Sequence, residues 1–582
     1  MEIADAEVHS LYNEVWQWKL RESPELASFC GFHAYDDRWD DISEEAYLRR
    51  ENCIREFLKK AESIDTAVCS KEAALNHALL VDDFKLYLEG VKYKSYLMPV
   101  NYIEGIHNDC NLTISYMIFE SEEDFSMYIR RLEKLPLRIE QVITALKRGV
   151  ECGIVMFLSS VGIVPKQLDA YFTTPIDELG LLKPFTGVHP RISKDKLENF
   201  RTKAKDLIKT GVFQAIKALK IYLEEEYFQH LRPKEGISCL PLGTEWYQQC
   251  LKFHLSMPMT PQQVNDIGIK EVARIRKLML TLASKEELGQ TFPEILLALK
   301  RRQNNFFKTS DEVLDFVKDI CYNKIRPKLS HMFNGLPNIP MVIKPVPDYM
   351  KNVPAGFYLN GTPNGSREGS YCINTHNLAA CIPFQLPALS LHEGEPGHHL
   401  QSIYILGSKH LPELRKYAED SKYYLAPGKF PLKTAYVEGW GLYAEGLGEE
   451  LNMYQDNMEL IGRYNYEIFR AARLVVDTGI HAFGWTKEMA VNYMLENTLS
   501  TEEGAAREVD RYITWPGQAC AYKVGEIKIW QLRHKAETQL GDLFNIKEFH
   551  HLILANGSVP LHILETVVDR YIDEAKTTAS TS

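Results

Sequence analysis

At 582 residues the chain is longer than a single hydrophobic core ordinarily supports, and 45% hydrophobic with 25% charged residues is the composition of a folded globular protein. A formal net charge of −11 excludes nucleic acid as an expected partner, because phosphates need a positive surface. Eleven cysteines, an odd number without a C-x-x-C pair, argue against a disulfide framework or a cysteine-based zinc site and for reduced thiols in a cytoplasmic protein.

The N-terminal stretch MEIADAEVHSLYNEVWQWKL is acidic and polar where an export signal is basic and then apolar, and it reads as the start of an amphipathic helix. No apolar run reaches the roughly 18 residues needed to cross a bilayer, so no membrane insertion is expected. From Glu2 to about Lys324 nearly every segment shows three-to-four-residue apolar spacing, as in EDFSMYIRRLEKLPLRIEQVITALKRGVECGIV, which predicts helices. Thr260-Pro261 supplies an N-cap with proline in the first turn, and Ser310-Asp311-Glu312 does the same before VLDFVKDICYNKI. Near Gly335 the pattern changes: GLPNIPMVIKPVPDYM, AGFYLNGT and EGSYCINTHN predict three short strands divided by Pro, Asn and Gly turns. Asn-Gly pairs at Asn360, Asn364 and Asn556 match the glycosylation acceptor pattern, relevant only in a secreted chain, and read as turns. From Pro387 helical periodicity returns, and the tail KTTASTS carries nothing that would order it.

The chemistry concentrates in HEGEPGHHLQ, His392 to Gln401, which departs from the zinc-binding pattern H-E-x-x-H. In a helix, residues four apart are separated by about 6 Å, so two imidazoles can meet one zinc ion. His398 lies six residues after His392, about 9 Å of rise and on another face; His399 lies seven after, on the same face but about 10.5 Å away. Neither fits a straight helix. Pro396 lacks the amide proton that bonds back to the carbonyl of His392, and Gly397 tolerates unusual dihedrals. A break is therefore expected there, able to absorb two residues and bring His398 to the position of an i+4 histidine.

This stretch resembles the core of a widespread family of unknown function whose members carry H-E-x-x-P-G-H-H-L-Q. It is similar in turn to the helical zinc peptidases typified by carboxypeptidase Taq, thimet oligopeptidase and angiotensin-converting enzyme. Those peptidases read H-E-x-G-H, and matching that Gly-His pair to Gly397-His398 implies His398 as second ligand after His392, with His399 the alternative. YVEGWGLYAE looks like their glutamate-bearing helix, which implies Glu438 as third ligand and a supporting place for Glu445. By the same resemblance Glu393 is the general base. RLVVDTGIHAFGWT also matches; its Asp477 and His481, four apart on one helix face, suit a carboxylate orienting a catalytic imidazole. YITWPGQACAYKVGEIKIW resembles the segment whose tyrosine hydrogen-bonds the developing oxyanion, which implies Tyr522. EGSYCINTHN looks like the edge strand along which such enzymes lay an extended peptide.

The expectation is a mainly α protein, with two helical lobes around a deep cleft and a small β-sheet beside the metal-binding helix. Residues 1–334 form the helical lobe, 335–575 the catalytic lobe with its sheet and zinc-binding helices, and 576–582 a disordered tail. The resemblance implies a cytoplasmic metallopeptidase that uses Zn2+ and hydrolyses short peptides. The alternatives are a zinc hydrolase of another amide or ester, or a protein that binds peptides without turnover, against which Glu393 beside the ligands argues. Trp440 and Trp515 read as packing residues, and His376 as an exposed turn residue. Oligomeric state is not legible.

Overall fold

The structure, a computed structural model, describes residues 2–302, 306–337, 339–347, 355–362, 365, 367–417 and 422–581. It is mainly helical, with one three-stranded sheet among the described residues. Two compact units are present. One is built from Met1–Gln249, Pro412–Leu432 and Ile513–Trp515; the other from Cys250–Leu411, Lys433–Tyr512 and Pro516–Ser582. The change of pattern near Gly335 falls inside the second unit.

In the first unit, helices Glu2–Glu22 (α1), Glu44–Glu62 (α2), Lys71–Gly90 (α3) and Glu122–Cys152 (α4) dominate. The α1 residues Val8, Leu11, Tyr12 and Val15 repeat at helical spacing and bury one face against Ile54 and Phe57 of α2 and Leu80, Phe84 and Tyr87 of α3. Phe430, from the returning segment, completes this cluster. Ser43, Ser70 and Ser121 start α2, α3 and α4 by accepting the amides of Ala46, Ala73 and Asp124, each cap contributing about 1 kcal/mol. Trp515 is more than packing: its indole N–H donates to Glu104 at 2.7 Å.

In the second unit, Thr260 caps Pro261–Lys285 (α5) in a capping box with Gln263, as its sequence predicts. The cap of Ser310–Lys318 (α6) is Thr309, whose hydroxyl accepts the Glu312 amide, one residue ahead of the expected signal. The strands are Val342–Pro345 (β1), Gly356–Leu359 (β2) and Ser370–Ile373 (β3), in the order β1-β3-β2. β3 pairs parallel with β1, Val342 opposite Ser370, and antiparallel with β2, Gly356 opposite Ile373. This corrects the expectation for EGSYCINTHN: its strand is central, with both edges already paired. All four β3 residues are buried, as a strand covered on both faces requires, whereas β1 carries the Lys344 and Pro345 that mark an edge.

The remaining helices include Leu386–Glu393 (α7), His398–Gly407 (α8), Thr434–Glu450 (α9), Asn457–Ala482 (α10), Ala521–Leu540 (α11) and Leu561–Thr581 (α12). α9 and α11 cross backbone to backbone: a Cβ at Gly525 would lie 1.8 Å from the Ala435 carbonyl oxygen, and one at Gly439 would lie 2.5 Å from the Gly525 Cα. The tail expected to be disordered continues α12 through Thr581, because Lys576 bonds Gln539 and the Thr577, Thr578 and Ser580 hydroxyls bond carbonyls four residues back. The turn at Asn556 is present, with Gly557 at φ 63°; Asn364 lies outside the described residues. All eleven cysteines are free. Among the described residues no helix is long and apolar enough to cross a membrane.

Candidate metal centre

The break expected at Pro396-Gly397 is present. α7 stops at Glu393 and α8 starts at His398; between them Gly394 and Gly397 leave helical geometry, with ψ −129° at both, around a cis Glu395–Pro396 peptide bond. The His399 amide reaches back to the Gly394 carbonyl at 3.1 Å, a step of five residues where a regular helix has four. A Cβ at position 397 would lie 1.9 Å from the His392 carbonyl oxygen, so only glycine lets the chain fold back this closely.

The break brings the His392 and His398 rings to 4.7 Å between centroids, at 87° to one another. Nε2 of each stands 3.5 Å from the same Oε2 of Glu438 on α9. The three ligand atoms lie within 4.8 Å of one another, and no other such group is found among the described residues. Donors held 2.0–2.1 Å from a tetrahedral zinc ion stand about 3.4 Å apart, which the two 3.5 Å separations from Glu438 match.

The remaining ring nitrogens are committed in a way that aims the ligands. His392 Nδ1–H donates to Glu445 Oε1 at 2.8 Å, and His398 Nδ1–H to Gln401 Oε1 at 3.1 Å, which leaves both Nε2 lone pairs for a cation. Arg470 lies 3.5 Å from the same Glu445 oxygen. The His392 ring rests on Gly441, where a Cβ would sit 2.7 Å from its Cε1. Burial alone disfavours protonated His392, but hydrogen bonds to Glu438 and Glu445 outweigh it and raise the imidazole to about 9. Burial likewise opposes ionisation of Glu438, yet the two histidines hold its carboxyl well below the ordinary range. Binding of a cation here displaces a proton.

His399, the alternative second ligand, is engaged elsewhere. Its Nε2–H donates to the Ile339 carbonyl at 3.1 Å and its Nδ1 accepts from the Tyr358 hydroxyl at 3.0 Å, which ties α8 to β2. Burial lowers its imidazole to about 4 and keeps it neutral. Glu393 is 7% exposed, and its carboxylate makes no hydrogen bond to another described residue. Tyr522 stands at the start of α11; burial and then the Glu438 carboxylate raise its phenol above the ordinary value, and the Arg473 guanidinium lies 4.6 Å over its ring.

His481 is not brought into this group. It is fully buried, its Nε2–H donates to the Tyr512 carbonyl at 2.9 Å, and Asp477 accepts the Gly517 amide at 3.0 Å. The Asp–His pair expected to prepare a catalytic imidazole instead ties α10 to neighbouring backbone. His376 is exposed, as expected, and bonds the Val346 carbonyl at 2.9 Å. Gln401 and Gly441 escaped sequence reasoning. Gln401 had a signal in its three-residue spacing from His398 on one helix face, whereas nothing local marks Gly441 as the seat of an imidazole.

Fold and site together define a mainly helical protein in which three helices bring His392, His398 and Glu438 into one group that could hold a metal ion. The chain belongs to the family described as "Bacterial protein of unknown function (DUF885)", matched over residues 24–568. It is similar to a solved structure from Colwellia psychrerythraea described as a "putative lipoprotein", with a TM-score of 0.90 and 25% identity over 98% of this chain and 100% of that one. A "putative lipoprotein of unknown function" from Shewanella oneidensis matches with a TM-score of 0.73 and 18% identity, over 96% and 98%. No curated relative matches the chain. The expected cytoplasmic location is corrected by the Colwellia psychrerythraea relative, whose description as a lipoprotein is at odds with it. A lipid anchor needs no apolar span, so the lack of one in the sequence did not bear on the question.

Proposed function

We propose that this protein is a zinc-dependent peptidase that hydrolyses short peptides through a water molecule and the Glu393 carboxylate. The observation that carries this reading is the convergence of His392 Nε2 and His398 Nε2, each 3.5 Å from Glu438 Oε2, with both Nδ1 atoms held by Glu445 and Gln401. A zinc ion bound there supplies Lewis acidity and lowers the pKa of water. Glu393, next to the first ligand and with a carboxylate that has no hydrogen-bond partner among the described residues, takes the proton of the attacking water and returns it to the leaving amine. The Tyr522 hydroxyl, close enough to Glu438 to feel its charge, donates a hydrogen bond to the oxygen on which negative charge develops. Glu445 and Gln401 keep the imidazoles in one tautomer.

Purified protein is expected to hold about one equivalent of zinc by elemental analysis and to cleave members of a mixed peptide library in a chelator-sensitive manner. Replacing Glu393 by Gln keeps the ligands and lowers kcat by about 10²–10⁴-fold. Zinc bound with no peptide cleaved in any condition would sink the peptidase reading and favour hydrolysis of another amide or ester, or binding without turnover.

A further inference from the structure

The geometry of the centre depends on four residues, Gly394 to Gly397, that have little to hold them in place from within. The Gly394 amide closes the last turn of α7 on the Ser390 carbonyl, and the single backbone bond that crosses the break runs from the His399 amide to the Gly394 carbonyl. Pro396 has no amide proton to contribute. A segment with so few bonds of its own keeps one conformation only if other elements impose it.

Two side chains outside the ligand set grip it. The indole N–H of Trp440 donates to the Pro396 carbonyl at 2.8 Å, and Trp440 is completely buried. Arg326 forms an ion pair with Glu395, which is 7% exposed. Each grip starts from a well-anchored place. Arg326 opens the 3-10 turn that follows the π-helical stretch Asp319–Ile325, whose Cys321 sulfur would lie 3.6 Å from a Cβ on Gly394. Trp440 stands on α9 two residues after the ligand Glu438 and one before Gly441, on which the His392 ring rests, and five before Glu445, which holds the His392 Nδ1 proton. One helix thus offers a ligand, seats another ligand's ring, fixes its tautomer and pins the chain that carries the third.

We infer that Trp440 and Arg326 are positioning residues for the metal centre, fixing through Pro396 and Glu395 the break that turns His398 toward His392. The inference rests on reading the cluster as a metal site. Neither side chain belongs to the His392–His398–Glu438 group, so the effect is on how well the two imidazoles are presented, and removal of such supports typically weakens metal binding by about 10–100-fold.

The test uses the full chain with Trp440→Phe, which keeps an aromatic ring and removes the donor, and with Arg326→Met and Arg326→Lys. Zinc affinity is read by competition with a chromophoric chelator, ligand geometry by the visible spectrum of the Co2+ form, and fold by the unfolding temperature of the metal-free protein. Expected are a loss of about 10–100-fold in affinity and an altered Co2+ spectrum for Trp440→Phe and Arg326→Met, an unfolding temperature within a few degrees of the parent, and partial recovery in Arg326→Lys. Folded variants with parental affinity and spectrum overturn the inference while leaving the metal site intact. A parent chain that binds neither ion overturns the site and this inference with it. Should Trp440→Phe fail to fold, the comparison of Arg326→Met with Arg326→Lys decides.

Discussion

His398 and His399 are neighbours with opposite obligations. Only the first has a free Nε2 facing Glu438, while both nitrogens of the second are bound to Ile339 and Tyr358. His398→Ala is therefore expected to abolish stoichiometric zinc binding and His399→Ala to retain it, as measured by metal content after dialysis; the reverse pattern would exchange their roles. That His392, His398 and Glu438 come together was legible from the break that Pro396-Gly397 implies and from the resemblance that singled out Glu438. Gly441 was not, since its task is to leave out a side chain where the His392 ring lies, and no local feature of a sequence says which ring will arrive. His481 misled for a related reason: a four-residue spacing from Asp477 gives both groups one helix face but does not say what that face meets, which here is the Tyr512 carbonyl and the Gly517 amide.

Among elements, the α9–α11 crossing sets the distance between the third ligand and the proposed oxyanion donor, because Glu438 adjoins Gly439 and Tyr522 lies three residues before Gly525. Backbones this close admit no methyl group. Gly525→Ala is expected to destabilise the protein by about 1–3 kcal/mol as the helices part, read as a lower midpoint in urea. A midpoint unchanged would show that the crossing tolerates separation. Helix content, the Thr260 cap and three short strands followed from periodicity and turn chemistry. Strand order did not. SYCI reads equally as edge or centre until its neighbours are known, and the lysine and proline that mark β1 as an edge were the available clue. The ordered end of α12 was equally hidden, its Lys576–Gln539 bond joining residues far apart in the chain.

For the molecule as a whole, acid lability is built into both units. Burial lowers the imidazole of His107 in the first unit to about 4 and that of His550 in the second to about 3. Their unfolded counterparts titrate near the ordinary value, so the stability they confer is complete above it and is lost as pH falls through the range below. Each contributes about 2 kcal/mol at about pH 8 that is gone by about pH 5. Urea unfolding at the two pH values is expected to show a smaller acid loss in His550→Gln than in the parent; equal losses would assign the effect to other groups. The His550 ring bonds the Met332 carbonyl and the Tyr443 hydroxyl, so the pH difference rather than absolute stability is the quantity to compare. Finally, the four-residue interruption between α7 and α8 changes what counts as a signature. A text search for two histidines four residues apart passes over this protein, although the interruption brings its two imidazoles within 4.7 Å of one another. The invariant worth seeking in distant sequences is an angle between two short rods, and the number of letters that produces it is free to vary.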